Sequence, residues 1–246
     1  MVPIVFFTAG TTDACRHACQ VLLDRGIQFT SSPEDQVTDL LLDIPSFRQP
    51  GILRSGEDFH KLINSLPSGL RVWGGKLPLL PEGYSAMDFL EDPKYLAANA
   101  AITADCALRL SGPSLKTSWS DSRVLIIGWG RIGKQLARML RSLGASVTVC
   151  ARKAPDRALL AAFGYGTKEP DQLSGSGYQV IFNTVPATVM EEESLGDCPA
   201  VIDLASVPGI LGERAVRARG LPGIYAPETS GKLIADTILT KLREVN

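Results

Sequence analysis

The feature that most restricts the possible folds is a glycine-rich turn between an apolar segment and an amphipathic one. Residues 124–127 read Val-Leu-Ile-Ile, a G-x-G-x-x-G motif follows, and residues 134–143 have the pattern of a helix. In dinucleotide-binding domains such a motif makes the turn, admits the pyrophosphate and lets helix and strand pack closely. The alternative is a glycine turn with a purely structural role. The residues predicted to hold the phosphates are Gly128, Trp129, Gly130, Arg131, Ile132 and Gly133.

Short apolar segments alternate with helical patterns along most of the chain. This alternation is typical of a parallel sheet covered by helices. We therefore predict an α/β protein with two α/β domains, of which the C-terminal one is a Rossmann-type, doubly wound parallel sheet. Strands are predicted at 3–8, 28–30, 39–42, 70–73, 84–87, 123–127, 146–150, 180–183 and 201–204, and helices at 13–24, 56–65, 93–110, 134–143 and 232–242.

The domain organisation is predicted from one uninterrupted Ala- and Leu-rich segment in the middle of the chain. Residues 93–110 contain no helix breaker, and Ser111, Gly112 and Pro113 stop the pattern. We expect a flavodoxin-like α/β domain on the substrate side, a linker helix with its connection, a Rossmann domain that binds NADP and a helix that packs back on the body. The corresponding ranges are 1–92, 93–118, 119–230 and 231–246.

Composition and charge narrow the classes of partner. The chain has 246 residues, 45% of them hydrophobic, and a formal net charge of −1. We expect neither a nucleic acid nor a membrane partner, because there is no basic patch and no apolar run of roughly 20 residues. The five cysteines are scattered and odd in number, which favours a reduced, cytoplasmic protein. Small molecules or proteins are the expected partners, and we expect a homo-oligomer.

A C-x-H-x-C cluster does not predict a metal site. On a helix His17 points away from Cys15 and Cys19, and no second pair of ligands follows. We therefore expect no metal.

The end of the second strand of the dinucleotide domain indicates which cofactor binds. An NAD site usually has Asp or Glu about 20 residues after the first glycine, to hold the ribose 2′-hydroxyl. Here Cys150 and Ala151 occupy that place, followed by Arg152 and Lys153. A guanidinium can bind a 2′-phosphate through two charge-assisted hydrogen bonds. We predict NADP(H), with NAD(H) as the less favoured alternative, and cofactor contacts by Ala151, Arg152 and Lys153. The other reading of this segment is a solvated basic turn.

Two later strands end at the edge of the sheet where ligands bind. The residues expected beside the cofactor are Asn183, Thr184, Val185 and Pro186 after one strand, and Leu204 and Ala205 after the next. Asp203 either borders the nicotinamide pocket or caps its own strand.

From about residue 87 onward the sequence resembles the family of the dehydrogenase subunit of bacterial dipicolinate synthase. The motifs that carry the resemblance are 95–104 (YLAANAAITA), the glycine motif with Ala151-Arg152, 183–186 (NTVP), 202–206 (IDLAS) with Pro208-Gly209, 220–223 (GLPG) and 226–231 (APETSG). The resemblance implies NADP-linked oxidation of dihydrodipicolinate to dipicolinate, as part of dipicolinic acid biosynthesis in sporulation. It also implies a flavoprotein-like second subunit of the synthase as partner.

Some positions depart from the family pattern. Glu228 stands where the family usually has Lys, and a carboxylate facing the substrate would repel a dicarboxylate. Ile102 replaces a usual Pro, Asp105-Cys106 a usual Glu-Gly, and Trp119-Ser120 a usual His-Gly. About eight residues are missing before Gly220, by comparison with the family, and this gap predicts that the last strand of the sheet is shortened or deleted.

The chemistry implied by the resemblance is hydride transfer with loss of a proton, which requires two carboxylates to be held in place. Asn99 and Thr103, one helical turn apart, are the candidate substrate ligands on the linker helix, together with Ser206 and Thr229. Hydrogen bonding between the domains is the alternative role for Asn99 and Thr103. The two histidines, His17 and His60, fall in no matching motif, so no catalytic residue is predicted.

Three functions are compatible with the sequence. The first is an NADP-dependent dehydrogenase of the dipicolinate synthase type. The second keeps the cofactor but oxidises another small carboxylate, as hydroxyacid or shikimate dehydrogenases do. The third is a regulatory protein that binds NADPH without turnover, because a fold alone does not determine function.

Overall fold

The computed structural model describes residues 3–32 and 36–245. The chain separates into two compact units, one made of residues 1–99 with 222–246 and one of residues 100–221; we call them unit 1 and unit 2. In chain order the elements are β1 (Val5–Thr8), α1 (Asp13–Asp24), β2 (Gln28–Phe29), β3 (Asp39–Leu41), β4 (Phe47–Gln49), β5 (Ile52–Leu53), α2 (Phe59–Ser65), β6 (Arg71–Gly74), β7 (Ser85–Asp88), α3 (Pro93–Ser111), β8 (Arg123–Ile127), α4 (Arg131–Ser142), β9 (Ser146–Cys150), α5 (Ala154–Ala162), β10 (Gly166–Lys168), β11 (Val180–Asn183), β12 (Ala200–Asp203), β13 (Ala215–Arg217), α6 (Leu221–Tyr225) and α7 (Pro227–Val245).

Unit 1 is built on a five-stranded sheet in the order β2-β1-β3-β6-β7. All of its strand pairs are parallel, for example Leu40 opposite Val72. The core on one side contains Phe6, Trp73 and Phe89, which are almost fully buried. The strands β4 and β5 form a separate antiparallel pair after β3.

The last helix, α7, belongs to unit 1 and packs against α1. Ile234, Ala235 and Ile238 of α7 share one buried cluster with Ala18 and Leu22 of α1. The two helices approach closely where α7 has a glycine, Gly231. A Cβ atom there would lie only 2.5 Å from the Cβ of His17 and 2.6 Å from the carbonyl oxygen of Ala14.

Unit 2 is built on a six-stranded sheet in the order β10-β9-β8-β11-β12-β13. All of its pairs are parallel, and the strand order reverses between β8 and β11. This is the doubly wound order of Rossmann-type domains, so the predicted fold class is confirmed. The last strand, Ala215–Arg217, is present with three residues. Deletion of that strand, one of the two outcomes that the sequence gap predicts, is therefore wrong.

Two helices begin earlier than the sequence pattern predicts. The helix α4 begins at Arg131 rather than at 134, because Gly130 takes the position before its first turn. The helix α7 begins at Pro227 rather than at 232, since proline fits the first helical position, where its missing N–H costs nothing. In the described ranges 3–32 and 36–245, no helix is both long and apolar enough to cross a membrane.

Candidate functional site

The three glycines of the motif have different surroundings in the structure. Gly128 has φ +105°, and a Cβ atom there would overlap Thr184 Oγ1. A Cβ atom on Gly133 would overlap the carbonyl oxygen of Gly128, so this glycine permits close packing of α4 on the turn. Gly130 differs, because it is exposed and a Cβ atom there would meet nothing within 4 Å. The fold therefore needs glycine at positions 128 and 133, whereas at 130 the open space is available to an external group.

A pocket of about 390 Å³ opens beside Gly128, at the carboxyl ends of β8, β9 and β11. Most of its wall is apolar, and its charged members follow β9. The lining residues are Ile127, Gly128, Trp129, Cys150, Ala151, Arg152, Lys153, Asp156, Pro170, Leu173, Val185 and Val189. An apolar slot with a few charges at one side is the kind of pocket that binds a flat heterocycle with an anionic group.

The structure brings part of the predicted cofactor set together at this pocket. Six of the predicted residues line it: Gly128, Trp129, Ala151, Arg152, Lys153 and Val185. Gly130 caps the start of α4, whose first turn contains Arg131, Ile132 and Gly133 and receives no side-chain cap. Leu204 and Ala205 are buried directly after β12, and Pro186 is exposed. Asn183 and Thr184 lie at the end of β11, outside the lining.

One carboxylate of the pocket is not predicted from the sequence. Asp156, in the first turn of α5, lines the pocket together with Arg152 and Lys153. The acid of an NAD site is expected at the end of the second strand, and Asp156 lies six residues beyond the end of β9. The Cys150 thiol at that strand end adds no charge near neutral pH, because burial raises its pKa to about 11.

Arg157 is a second residue without a sequence signal. Its Nη1 donates hydrogen bonds to the carbonyl oxygens of Ala151 (2.9 Å) and Arg152 (2.8 Å), and its Nη2 binds Glu169 Oε1 at 2.9 Å. The carbonyls belong to the loop after β9, and Glu169 directly precedes Pro170 in the wall after β10. Arg157 therefore connects two walls of the pocket.

A buried polar network shapes the ends of β11 and β12. Asn183 is fully buried and donates to Asp203 Oδ1 at 2.8 Å. Asp203 Oδ1 also accepts from the N–H of Ala205, and its Oδ2 accepts from the N–H groups of Gly209 (2.8 Å) and Ile210 (3.1 Å) and from Arg217. Burial alone would raise the pKa of Asp203, but the hydrogen bonds outweigh it and lower that pKa. These bonds favour the capping role for Asp203 over a place in a nicotinamide pocket.

The predicted substrate residues lie on three separate segments. Asn99 and Thr103 are half-buried and one turn apart on α3. Ser206 is exposed in the loop after β12, and Thr229 is exposed in the first turn of α7, next to Glu228, which is also exposed. A carboxylate in a first helical turn is stabilised by the helix dipole. Within the described part of the chain, no group of three or more His, Cys, Asp or Glu side chains could hold a metal ion.

Known proteins share both the sequence motifs and the dinucleotide-binding unit of this chain. Residues 103–197 match the family model described as D-isomer specific 2-hydroxyacid dehydrogenase, NAD binding domain. A dipicolinate synthase subunit of Bacillus subtilis (strain 168) is 32% identical over an alignment of 137 residues, and the match covers 50% of this chain and 46% of that protein. The alignment thus spans less than half the length of that curated relative. These matches support a dinucleotide cofactor and a dehydrogenase type of oxidoreductase.

The fold similarity extends over the whole chain. The corresponding dipicolinate synthase subunit from Bacillus halodurans has a TM-score of 0.81 at 22% identity, covering 98% of this chain and 97% of that one. The solved structure of dipicolinate synthase from Bacillus subtilis has a TM-score of 0.80 at 20% identity, covering 100% and 97%. The fold match agrees with the sequence match and with the motifs of residues 95–231. The chain is therefore similar in sequence, over about half its length, to a dipicolinate synthase subunit, and it shares the fold of the two solved dipicolinate synthase structures.

Proposed function

We propose that this protein is an NADP-dependent oxidoreductase of the dipicolinate synthase type, which oxidises dihydrodipicolinate to dipicolinate by hydride transfer. The observation that carries the proposal is the pocket beside the glycine turn, with open space at Gly130 and two cations, Arg152 and Lys153, on the segment after β9. A flavoprotein-like second subunit is the proposed partner, because the curated relative is named as one subunit of a synthase.

Each part of the pocket suits one part of the cofactor. The N–H groups in the first turn of α4 receive no side-chain cap and would bind the pyrophosphate, at the positive end of the helix dipole. Apolar side chains of Pro170, Leu173 and Val189 would hold the adenine. The guanidinium of Arg152 would bind the 2′-phosphate. NADP⁺ supplies a nicotinamide ring that can accept a hydride.

The charges after β9 favour NADP over NAD. Arg152 and Lys153 contribute two positive charges and Asp156 one negative charge, so the segment keeps a net positive charge next to the pocket. The net positive charge favours binding of the 2′-phosphate of NADP, whereas Asp156 would favour the ribose 2′-hydroxyl of NAD. The two opposing contributions make the cofactor preference a direct test of the proposal.

The substrate side requires alignment more than acid–base chemistry. Loss of a hydride and a proton makes the dihydropyridine ring aromatic, so the protein must hold two carboxylates and orient one C–H bond. We propose Asn99, Thr103, Ser206 and Thr229 as hydrogen-bond donors to these carboxylates. Glu228 is not part of this donor set, because its carboxylate would repel those of the substrate.

The cofactor proposal is tested by titrating the protein with NADPH and NADH. NADPH should bind about tenfold more tightly, a difference of about 1.4 kcal/mol, and Arg152→Ala should remove most of it. Arg138→Ala is the matched control, because Arg138 is exposed on α4 outside the pocket. Gly130→Val should abolish binding of both nucleotides without a change in thermal unfolding, since a side chain there fills space that only the pyrophosphate needs. Equal affinities for NADPH and NADH would contradict the NADP preference.

The reaction is tested by incubating the protein with NADP⁺ and freshly generated dihydrodipicolinate, with and without the flavoprotein-like partner. Equal amounts of dipicolinate and NADPH, formed only when this chain is present, are the expected result. Bound NADPH without turnover in either mixture would contradict the proposal and favour a regulatory protein. Turnover with a hydroxy acid in place of dihydrodipicolinate would favour a dehydrogenase of the hydroxyacid type.

A further inference from the structure

Unit 1 contains a pocket of about 240 Å³ that is separate from the pocket beside the glycine turn. Its lining residues are Pro45, Phe47, Pro50, Gly51, Lys76 and Pro78. They belong to the segments that follow β3 and β6, which are neighbouring parallel strands. The pocket therefore lies outside the carboxyl ends of a parallel sheet, where ligands bind in open α/β folds.

The two walls of this pocket are tied together by Ser46. Its N–H donates to the carbonyl oxygen of Gly75 at 2.9 Å, and its Oγ accepts from the N–H of Gly75 at 2.9 Å. Ser46 is itself buried, and its Oγ donates to the carbonyl oxygen of Asp43. A Cβ atom on Gly75 would lie 2.9 Å from Ile44 Cγ2. The close packing and the paired hydrogen bonds give a pocket that is already formed without a ligand.

Lys76 has a backbone conformation that costs free energy. Its φ is +58°, and among the described residues it is the one non-glycine residue in the left-handed region. The chain is held on both sides of it, by Ser46 at Gly75 and by a hydrogen bond of 2.8 Å from the N–H of Leu77 to Asp88 Oδ2. Non-glycine residues held in this left-handed backbone conformation concentrate at binding and catalytic sites. The backbone conformation of Lys76 therefore supports a binding role for this residue.

The chemistry of the pocket indicates its ligand. Three prolines and Phe47 offer flat apolar surface, and Lys76 is the one charged residue among the six that line it. Pockets for larger organic ligands measure about 300–1,000 Å³, so this one suits a ligand of about one ring. We infer that the pocket binds a small planar carboxylate, with the ring against the proline and Phe47 wall and the carboxylate paired with Lys76. The inference deepens the proposed function and rests on it, in that the pyridine dicarboxylate of that reaction belongs to this class.

The test uses the full chain without a dinucleotide. Pyridine-2,6-dicarboxylate and benzoate are titrated by calorimetry, and benzamide serves as the neutral probe of the same shape. The acids should bind, and benzamide should bind about tenfold more weakly than benzoate, because it cannot pair with an ammonium group. Lys76→Met should weaken the binding of the acids about tenfold, and Lys76→Arg should retain their affinity because it keeps the charge. Lys61→Met, which removes an exposed lysine from α2 of the same unit, is the matched control and should change nothing.

A further variant separates binding from stability. Lys76→Gly should lose the carboxylate affinity to the same extent as Lys76→Met, yet unfold at the same or a higher temperature, because glycine adopts a φ of +58° without strain. Unchanged benzoate affinity in Lys76→Met would overturn the inference, and so would equal binding of benzoate and benzamide. A protein that binds NADPH but no carboxylate overturns this inference alone. A protein that binds carboxylates through Lys76 but no dinucleotide overturns the proposed function instead.

Discussion

Replacing Asp203 by asparagine tests whether one buried carboxylate holds the loops that follow β11 and β12. The substitution keeps the size and shape of the side chain, so it leaves no cavity. It converts one of two accepting oxygens into an NH₂ group that cannot accept a hydrogen bond. The effect on stability therefore reports on the hydrogen bonds and the charge of this carboxylate, and not on packing.

The magnitude follows from the bonds that Asp203 makes. An NH₂ group at the Oδ2 position would face the N–H groups of Gly209 and Ile210 and the guanidinium of Arg217, all of which now donate to that oxygen. An NH₂ group at the Oδ1 position would face the donors of Asn183 and Ala205. Either way at least two donors lose a charged acceptor, and each such bond contributes about 1.5–3 kcal/mol. We expect Asp203→Asn to lower the free energy of unfolding by about 3–5 kcal/mol.

Urea unfolding followed by circular dichroism at neutral pH measures this loss. Arg217→Met is the comparison variant, because its side chain is 39% exposed and supplies only one of the donors; we expect it to cost about 1 kcal/mol. The same two variants should rank in the same order in NADPH affinity if the network shapes the candidate site. A cost of Asp203→Asn no larger than that of Arg217→Met would refute the reasoning.

Three further predictions address the same fold. Because the pKa of Asp203 is lowered in the folded protein, its stabilising contribution should be complete above the ordinary carboxyl pKa of about 3.9 and be lost as the pH falls below it. The urea midpoint of Asp203→Asn should therefore fall less between pH 6 and pH 3 than that of the unaltered protein. Arg157→Met should lower the free energy of unfolding by about 2 kcal/mol, mainly because the hydrogen bond to the carbonyl oxygen of Ala151 is lost. It should also reduce the preference for NADPH over NADH in parallel titrations. An unchanged preference would contradict the role of Arg157 between the pocket walls. Gly231→Ala should lower the free energy of unfolding, measured by thermal unfolding, by about 1–3 kcal/mol, because the new methyl group would overlap α1. Gly223→Ala is the control and should leave the stability unchanged, because its methyl group would meet nothing within 4 Å.

Sequence reasoning predicts the centre of the unit 2 sheet well and its edges poorly. The strands β8, β9 and β11 have the predicted bounds, because each is a run of buried, mostly β-branched or apolar residues. The edge strands β10 and β13 have three residues each and are largely exposed. Their sequences, Gly-Thr-Lys and Ala-Val-Arg, contain no apolar run. These residues therefore form strands because they pair with a neighbouring strand, and not because of a local sequence pattern.

The candidate site is predictable where it depends on backbone shape and unpredictable where it depends on contacts across the fold. The glycine motif is local, and the structure places it between β8 and α4 as the motif requires. Arg157 and Glu169 are twelve residues apart and meet only after β9, α5 and β10 have packed. Asp156 enters the pocket because α5 begins directly after the loop that carries Arg152. No spacing rule links these residues before the fold is known.

The return of α7 to α1 also determines the order in which the two units can fold during synthesis. All residues of unit 2 are synthesised before α7, so that sheet can form while the chain is still growing. Unit 1 must wait, because Ala18 and Leu22 of α1 share their buried cluster with Ile234 and Ile238 of α7. Until α7 has left the ribosome, the apolar side of α1 is exposed to solvent and accessible to chaperones. Residues 1–99, which are translated before unit 2, therefore complete their core only after unit 2 has been synthesised.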